Sequence, residues 1–300
     1  LFEKGKGEVV TAPVIRSETI ARVQNQSRLT SGGAIALSAL DSSWINSTAG
    51  AVALGIAFSQ QTAVGAALGL SLTLNDIDTI TGAVVEDSPL DAGGAITVLA
   101  RSQSRIDSLA FGIAVAVAVS VNASSISLGA TGAVSFNEIT SAVAATIRNT
   151  ATGTATVDAG GPISVTTRDD AAIKAIAIAA SGSIAASGTG LSIAISIGIA
   201  LAHNRIEKSG AATIAGIPRV MTAASVTVAA FDTASIEVTS IAATLSVGVG
   251  AGTSVGVAGG ASESTNVILP STTASIQDSV VGTPAAKVAS VEVAAESSSS

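Results

Sequence analysis

Few residues of this chain have side chains that could carry out catalytic or ligand chemistry. The 300 residues include one histidine, His203, and neither cysteine nor tyrosine. Acid–base and nucleophilic catalysis depend largely on such groups, so the composition argues against a typical soluble enzyme. His203 stands beside an asparagine of a repeated motif, and we interpret it as a polar residue at a turn. The sequence gives no catalytic, cofactor-binding or metal-binding residue.

Two pairs of aspartates are the remaining candidates for a metal site. Asp76 with Asp78, and Asp169 with Asp170, could bind a hard cation through their carboxylates. The chain lacks the Asp-rich nonapeptide of calcium-binding β-rolls. We therefore expect these four residues to be solvated carboxylates at turns.

The other motifs also favour a structural interpretation. Gly248, Gly250 and Gly252 lack the strand and helix that must flank a phosphate-binding loop. Trp44 is the only tryptophan and suggests no aromatic platform for sugars. The net charge is −7 without a basic cluster, so a nucleic-acid partner is not expected.

A repeat of 61 to 67 residues organises the sequence. Its first landmark is a pair of small residues followed by alternating aliphatics, and the second member of the pair is Gly33, Gly94 or Gly161. Weaker forms end at Ala224, in the pair Ala223–Ala224, and at the single residue Ala289. The second landmark is Asn-x-Ile, which follows 42 or 43 residues later at Asn75, Asn137, Asn204 and Asn266. Nearly all the variation in repeat length lies after these asparagines, as expected of a surface turn that tolerates insertions.

The repeat divides the chain into units. Residues 31–300 form one array with approximate units 33–93, 94–160, 161–223 and 224–288 and a partial unit 289–300. Residues 1–30 lack the asparagine and are interpreted as a degenerate or truncated repeat. Because residue 1 is leucine and the only methionine is Met221, we expect the chain to be part of a longer protein.

Each repeat has a charged half and a half without charge. The uncharged stretches are Ser42–Asn75, Ser108–Asn137, Ala175–Asn204 and Val238–Ser262. Within them, large aliphatics alternate strictly with Ala, Gly or Ser, which indicates β-strands and not membrane-spanning helices. In unit 94–160 the alternation changes face between Val98 and Leu109, so we expect a corner or a bulge there.

These features predict an all-β, repetitive solenoid resembling a parallel β-helix. Aromatic residues make up only 2% of the chain, so its core must be thin and aliphatic. Coils of roughly 20 residues with a rise near 4.8 Å would give about three coils per repeat, with the recurrent asparagines at their corners. The alternative is an antiparallel sandwich or fibre of long strands.

One repeat also resembles those of giant secreted bacterial proteins. The segment Gly129–Ile147 (GATGAVSFNEITSAVAATI), together with DAGGAITVLA at Asp91–Ala100 and DAGGPISVTT at Asp158–Thr167, is similar to repeats of filamentous-haemagglutinin-like and large leukotoxin-like exoproteins. The resemblance covers most of Gly32–Glu296. It implies a secreted or cell-surface β-solenoid rod used in adhesion or as a scaffold, and no catalytic residues.

The sequence therefore predicts a non-enzymatic extracellular structural protein, without cofactors, that forms part of a long β-repeat rod. We expect the uncharged faces to pack against other copies in a filament, sheath or surface fibre, unless these residues are simply interior. The first alternative is the stalk of a bacterial adhesin whose binding activity lies elsewhere in the full chain, with a host or neighbouring cell as partner. The second is a β-helical carbohydrate-active enzyme, for which the sequence lacks a face of clustered carboxylates.

Overall fold

Long parallel strands, two in each repeat, build this molecule. The computed structural model describes residues 2–150 and 152–300, and the side-chain surroundings from residue 6 onward. Every strand pair within these residues is parallel. The predicted β-solenoid is confirmed, and the antiparallel alternative is wrong. No helix of the described chain is both apolar and long enough to cross a membrane.

The strands form three sheets. The front sheet contains β4 (Ile35–Ser59), β7 (Ile96–Ser120), β10 (Ile163–Ser187), β13 (Ser225–Gly250) and β15 (Ser290–Ser299). The back sheet contains β1 (Phe2–Thr11), β2 (Val14–Val23), β5 (Ala63–Glu86), β8 (Ser125–Arg148), β11 (Ser192–Ala215) and β14 (Ser254–Gln277). The short sheet contains β3 (Leu29–Ser31), β6 (Leu90–Ala92), β9 (Val157–Ala159) and β12 (Val220–Met221).

One sequence repeat forms one coil, which corrects the expected three coils per repeat. Each coil consists of a short strand, a front strand and a back strand. A strand of 25 residues, such as β7, extends about 80 Å, so the coil is a long, flat blade. The pairing register follows the sequence spacing, because Ile96 pairs with Ile35 at an offset of 61 and with Ile163 at an offset of 67.

The turns account for the differences in repeat length. Three residues, Asp87–Pro89, join β5 to β6, whereas residues 149–156 join β8 to β9. This loop of eight residues gives its coil the five additional residues that lengthen that repeat. The prediction that insertions lie in a surface turn after each asparagine is confirmed.

The core changes composition along the blade. In the aliphatic-core half, which comprises Ile96–Asp107 of β7 and Asn137–Arg148 of β8, side chains such as Ile96, Val98 and Ile147 fill the space between the sheets. In the small-core half, which comprises Ser108–Ser120 and Ser125–Phe136, the buried residues are Ala, Ser, Thr and Gly. The names apply to the equivalent segments of every coil.

Strand β7 continues from one half to the other without a corner. Its alternating burial is unbroken from Ile96 to Ser120, so the expected corner or bulge is absent there. The large aliphatics change from inward positions at Ile96 and Val98 to outward positions at Leu109 and Phe111. The side chains exchange faces, whereas the backbone keeps its orientation.

Candidate interaction surface on the outer faces

The outer face of the front sheet is predominantly apolar in the small-core half. On β7 the outward residues from Leu109 to Val119 are all large and apolar, and they lie beside equivalent residues of the neighbouring coils. Several are well exposed, including Val52 and Phe58 (64% each) and Leu245 (64%). The outward aliphatic and aromatic residues of the four coils are Val52, Leu54, Ile56, Phe58, Leu109, Phe111, Ile113, Val115, Val117, Val119, Ile176, Ile178, Ile184, Ile241, Leu245, Val247 and Val249.

The back sheet has a matching apolar area on the opposite side of the blade. Its exposed members include Leu68, Leu128 and Ile197. The outward residues there are Val64, Leu68, Leu70, Leu72, Leu74, Ile126, Leu128, Val134, Phe136, Ile193, Ile195, Ile197, Ile199, Leu201, Val255 and Val257. We call these two areas the front and back apolar bands. Contiguous exposed patches of this kind mark interaction sites in soluble proteins.

The bands exist because the interior of the small-core half has no room for large side chains. A Cβ atom added to Gly65 would lie 2.5 Å from the backbone oxygen of Val117 on the opposite sheet. A Cβ atom added to Gly129 would lie 2.6 Å from the backbone oxygen of Gly182. The two backbones are therefore in near contact, and bulky residues of the alternating pattern can point only outward.

The asparagines form a ladder where the two halves meet; Asn75, Asn137 and Asn204 are buried, whereas Asn266 at its end is exposed. Nδ2 of Asn75 donates to Oδ1 of Asn137 at 2.6 Å, and Nδ2 of Asn137 donates to Oδ1 of Asn204 at 2.7 Å. Asn204 continues the ladder to Asn266 at 2.8 Å. These residues lie near the middle of the back strands, so their expected place at corners is wrong. The ladder satisfies amides that would be costly to bury alone.

At the N-terminal coil the ladder ends at a proline. Pro13 occupies the position opposite Asn75, because β1 and β2 pair with β5 at the same offset of 62 on either side of it. Proline has no side-chain amide, and Oδ1 of Asn75 is buried without a hydrogen-bond partner. Residues 2–23 thus follow the course of a back strand, with Pro13 where the other coils have asparagine.

The glycine landmarks lie at the turn between the short sheet and the front sheet. The backbone N–H of Gly94 donates to the carbonyl of Gly33 at 2.9 Å, and that of Gly161 donates to Gly94 at 3.0 Å. A Cβ atom on the neighbouring Gly93 would lie 2.4 Å from the backbone oxygen of Gly32. The small residues therefore permit the turns of successive coils to stack closely.

A charged cluster lies inside the aliphatic-core half. Lys208 of the back sheet is fully buried, and its Nζ lies 3.1 Å from Oδ2 of Asp232 and 3.6 Å from Oδ1 of Asp169 on the front sheet. The same Nζ donates to the backbone oxygens of Asp169 (2.7 Å) and Thr233 (2.8 Å). The cluster joins the two sheets across the core.

Burial raises the pKa of Asp169 to about 6, although the charge of Lys208 and the hydrogen bond from Ser141 oppose this rise. The carboxylates at positions 169 and 170 were expected in a solvated turn, but both lie within strand β10. Asp169 points inward and Asp170 points outward, so the two cannot act as one cation site. Among residues 2–150 and 152–300 no group of three or more acidic, His or Cys side chains could hold a metal ion.

The other candidate residues also lie in strands. His203 is an outward residue within β11, its ring centroid 5.9 Å from that of Phe136, so its expected place at a turn is wrong. Asp76 and Asp78 occupy outward positions on β5 and are not at a turn. Gly248 and Gly250 belong to β13, and Gly252 lies in the turn that follows. The structure brings none of these residues together in one site.

Comparison with protein families, curated proteins and solved structures finds no match for the chain. The geometry of the chain offers two broad apolar surfaces on opposite sides of a flat blade.

Proposed function

We propose that this chain is a non-enzymatic structural segment of a long extracellular rod, which assembles side by side with other copies into a filament, sheath or surface fibre. The observation that carries the proposal is the pair of apolar bands. Burying a Val, Leu or Ile side chain stabilises by about 1.5–3 kcal/mol relative to full exposure. Covering the exposed members of either band would therefore favour association strongly.

A second copy is the partner that fits these bands best. Both bands belong to β-sheets, and two sheets pack face to face when their side chains interdigitate. The front band offers a shallow depression at Gly182, where an added Cβ atom would meet no atom within 4 Å. Along the strand, Ala180 and Ile184 flank it on the outer face. A neighbouring sheet could place its own aliphatic side chains there.

The position of the bands on opposite faces favours an open assembly. A copy whose front band covers the back band of its neighbour still presents a free back band. Such head-to-tail contacts build rings or filaments, depending on the rotation between copies. The charged side chains on the outer face of the aliphatic-core half would remain in water.

The coil architecture suits a load-bearing rod. Each coil contacts mainly its axial neighbours, so the stability of the array grows with every added coil. The Asn ladder and the backbone bonds between coils run along the rod axis. The resemblance to repeats of filamentous-haemagglutinin-like exoproteins supports a secreted or cell-surface location for this rod.

Electron microscopy of the purified protein with a matched pair of variants tests the proposal. Val117→Lys places a charge in the centre of the front band, between Ile56 and Ile184 of the adjacent coils. Thr97→Lys places the same charge on an outward position of the same strand, in the aliphatic-core half. We expect laterally associated fibres for the wild type and Thr97→Lys, and dispersed rods for Val117→Lys, with unchanged circular dichroism.

Other outcomes would contradict self-association. Dispersed wild-type rods at high protein concentration would favour a monomeric adhesin stalk. Rods that stay dispersed in buffer but float with lipid vesicles would instead identify a lipid surface as the partner of the bands. Fibres that form equally with Val117→Lys would show that the front band is not the contact.

A further inference from the structure

A polar groove lies on the front sheet, outside both apolar bands. It has a volume of about 560 Å³ and crosses adjacent coils of the aliphatic-core half. Its lining contains three arginines, Arg101, Arg105 and Arg168, but one carboxylate, Asp170. Because Asp107 at its edge pairs with Arg105, the arginines outnumber the nearby carboxylates by one, although the net charge of the chain is −7.

Two of the arginines share one carboxylate. Arg101 and Arg168 are directly paired on β7 and β10, where like charges repel each other. Nε of Arg168 lies 2.9 Å from Oδ2 of Asp170, and a terminal nitrogen of Arg101 lies 3.5 Å from the same oxygen. Their side chains remain 53% and 40% exposed. One carboxylate cannot engage both guanidinium groups in two-bond pairs, so donors remain for an external anion.

The carboxylate of Asp107 joins the third arginine to the only tryptophan at the edge of the groove. Arg105 forms two hydrogen bonds of 2.7 Å with Asp107, and Nε1 of Trp44 donates to the same carboxylate at 2.9 Å. Trp44 pairs with Arg105 across adjacent coils and is 61% exposed. The hydrogen bond thus orients the indole while its ring stays accessible, so a ligand with an apolar face could pack against it.

Most of the remaining lining residues are small. Ser42, Gln103, Thr233 and Ser235 contribute hydroxyl and amide groups, and the small side chain of Ala172 leaves space for a ligand. A ligand that fits must therefore combine an apolar ring face for Trp44, hydroxyl groups for this lining and an anionic group for the arginines. These three features occur together in sugars that carry a carboxylate.

We propose that this groove binds the carboxylate of a uronic-acid sugar between Arg101 and Arg168, with a sugar ring against Trp44. Planar guanidinium groups match carboxylates in two-bond geometry. The groove is elongated along the rod, so an oligomer can place a second residue on the adjacent coil. Such binding does not require lateral assembly of the rods.

The fluorescence of Trp44 provides a direct assay, since no other tryptophan contributes to the signal. We would titrate the protein with oligogalacturonate, monomeric galacturonate, a neutral oligosaccharide of equal length, and inorganic phosphate. We expect oligogalacturonate to change the emission and to protect Trp44 from acrylamide quenching. The monomer should bind more weakly, and the neutral sugar should have no effect at the same concentration.

Variants of the arginines locate the site. Arg168→Gln should weaken binding about 10-fold or more, because a charge-assisted bond is lost, and Arg168→Lys should restore only part of it. Arg205→Gln on the back sheet is the matched control: Arg205 also pairs with carboxylates, those of Glu138 and Glu207, and its loss should leave binding unchanged. Equal binding of neutral and acidic oligosaccharides would overturn the proposal. So would equal responses to phosphate, or an unaltered affinity in folded Arg168→Gln.

Discussion

The two halves of each blade place their large side chains on opposite sides of the same sheets. In the aliphatic-core half, Ile106 and Ile139 are inside, while Arg105 and Glu138 are outside. In the small-core half, Ala114 and Ala133 are inside, while Ile113 and Val134 are outside. The strands and their pairing continue unchanged through both halves. The difference shows that backbone hydrogen bonds determine the path of the coil. The sizes of the side chains on the two faces of each strand determine whether its outer surface is apolar or polar.

The two halves also enclose different kinds of polar side chain. The aliphatic-core half is wide enough to enclose Lys208 with Asp169 and Asp232. The small-core half encloses hydroxyl groups that bond across the narrow gap, such as Thr73 with Ser108 at 2.7 Å. A wide core therefore tolerates a long charged side chain, whereas a narrow core restricts its polar groups to short ones.

The largest effect that would sharpen this comparison is expected at the buried charge. Lys208→Ala leaves two carboxylates in the aliphatic-core half without their cation and should lower the free energy of unfolding by about 3–5 kcal/mol. Urea denaturation followed by circular dichroism measures this loss. Lys174→Ala is the matched control, because Lys174 is exposed and pairs with Glu237 at 3.4 Å, where an ion pair contributes at most about 1 kcal/mol.

Replacement of the whole charged cluster provides the complementary test. Lys208→Met combined with Asp169→Asn and Asp232→Asn removes every buried charge of the cluster, and most of the lost stability should return. If Lys208→Ala and Lys174→Ala lowered the free energy of unfolding by the same small amount, water would have to reach the buried carboxylates of the aliphatic-core half.

A smaller effect is expected where the two backbones meet. Gly129→Ala inserts a methyl group 2.6 Å from the backbone oxygen of Gly182, and overpacking of this kind costs about 1–3 kcal/mol. Gly182→Ala is the control, since its methyl group would point outward into open space. Thermal unfolding of the two variants would distinguish them. Equal melting temperatures would mean that the small-core half can widen, and the comparison of the two halves would fail.

Much of the fold could be predicted from the sequence, because the number of residues between successive repeats equals the offset at which their strands pair. The offset of 67 between Gly94 and Gly161 is the offset between β7 and β10. Coil length could not be predicted, because alternation looks the same in one strand of 25 residues and in several short strands. The corner expected after Val98 is absent because the large side chains exchange faces there while the backbone continues straight. Hydrophobicity alone does not say which face of an alternating strand is buried.

The surface features were predicted less completely. The uncharged stretches were identified, but their division into a small interior and an aliphatic exterior needed the distance between the sheets. The sequence analysis missed a sign of the buried cluster. Lys208 lies four residues after Asn204 and two after Ile206, and because alternate residues of a strand share a face, it points inward as they do. The groove was not predictable, because Trp44, Arg105 and Arg168 come from three different coils.

The smallest expected effect concerns the boundary between the halves, where Pro13 interrupts the Asn ladder. Pro13→Asn would supply an Nδ2 donor to the buried Oδ1 of Asn75, which has no partner, and continue the direction in which Asn75 donates to Asn137. A new buried hydrogen bond contributes about 1 kcal/mol. Pro13→Ala is the reference, because it removes the proline ring without adding an amide. We expect Pro13→Asn to exceed Pro13→Ala in stability by that amount, and the amide of Asp76, which donates to the carbonyl of Pro13, to exchange more slowly with solvent hydrogen. Equal stability and exchange in the two variants would mean that water already satisfies Asn75, and the ladder would then be a feature of the inner coils alone.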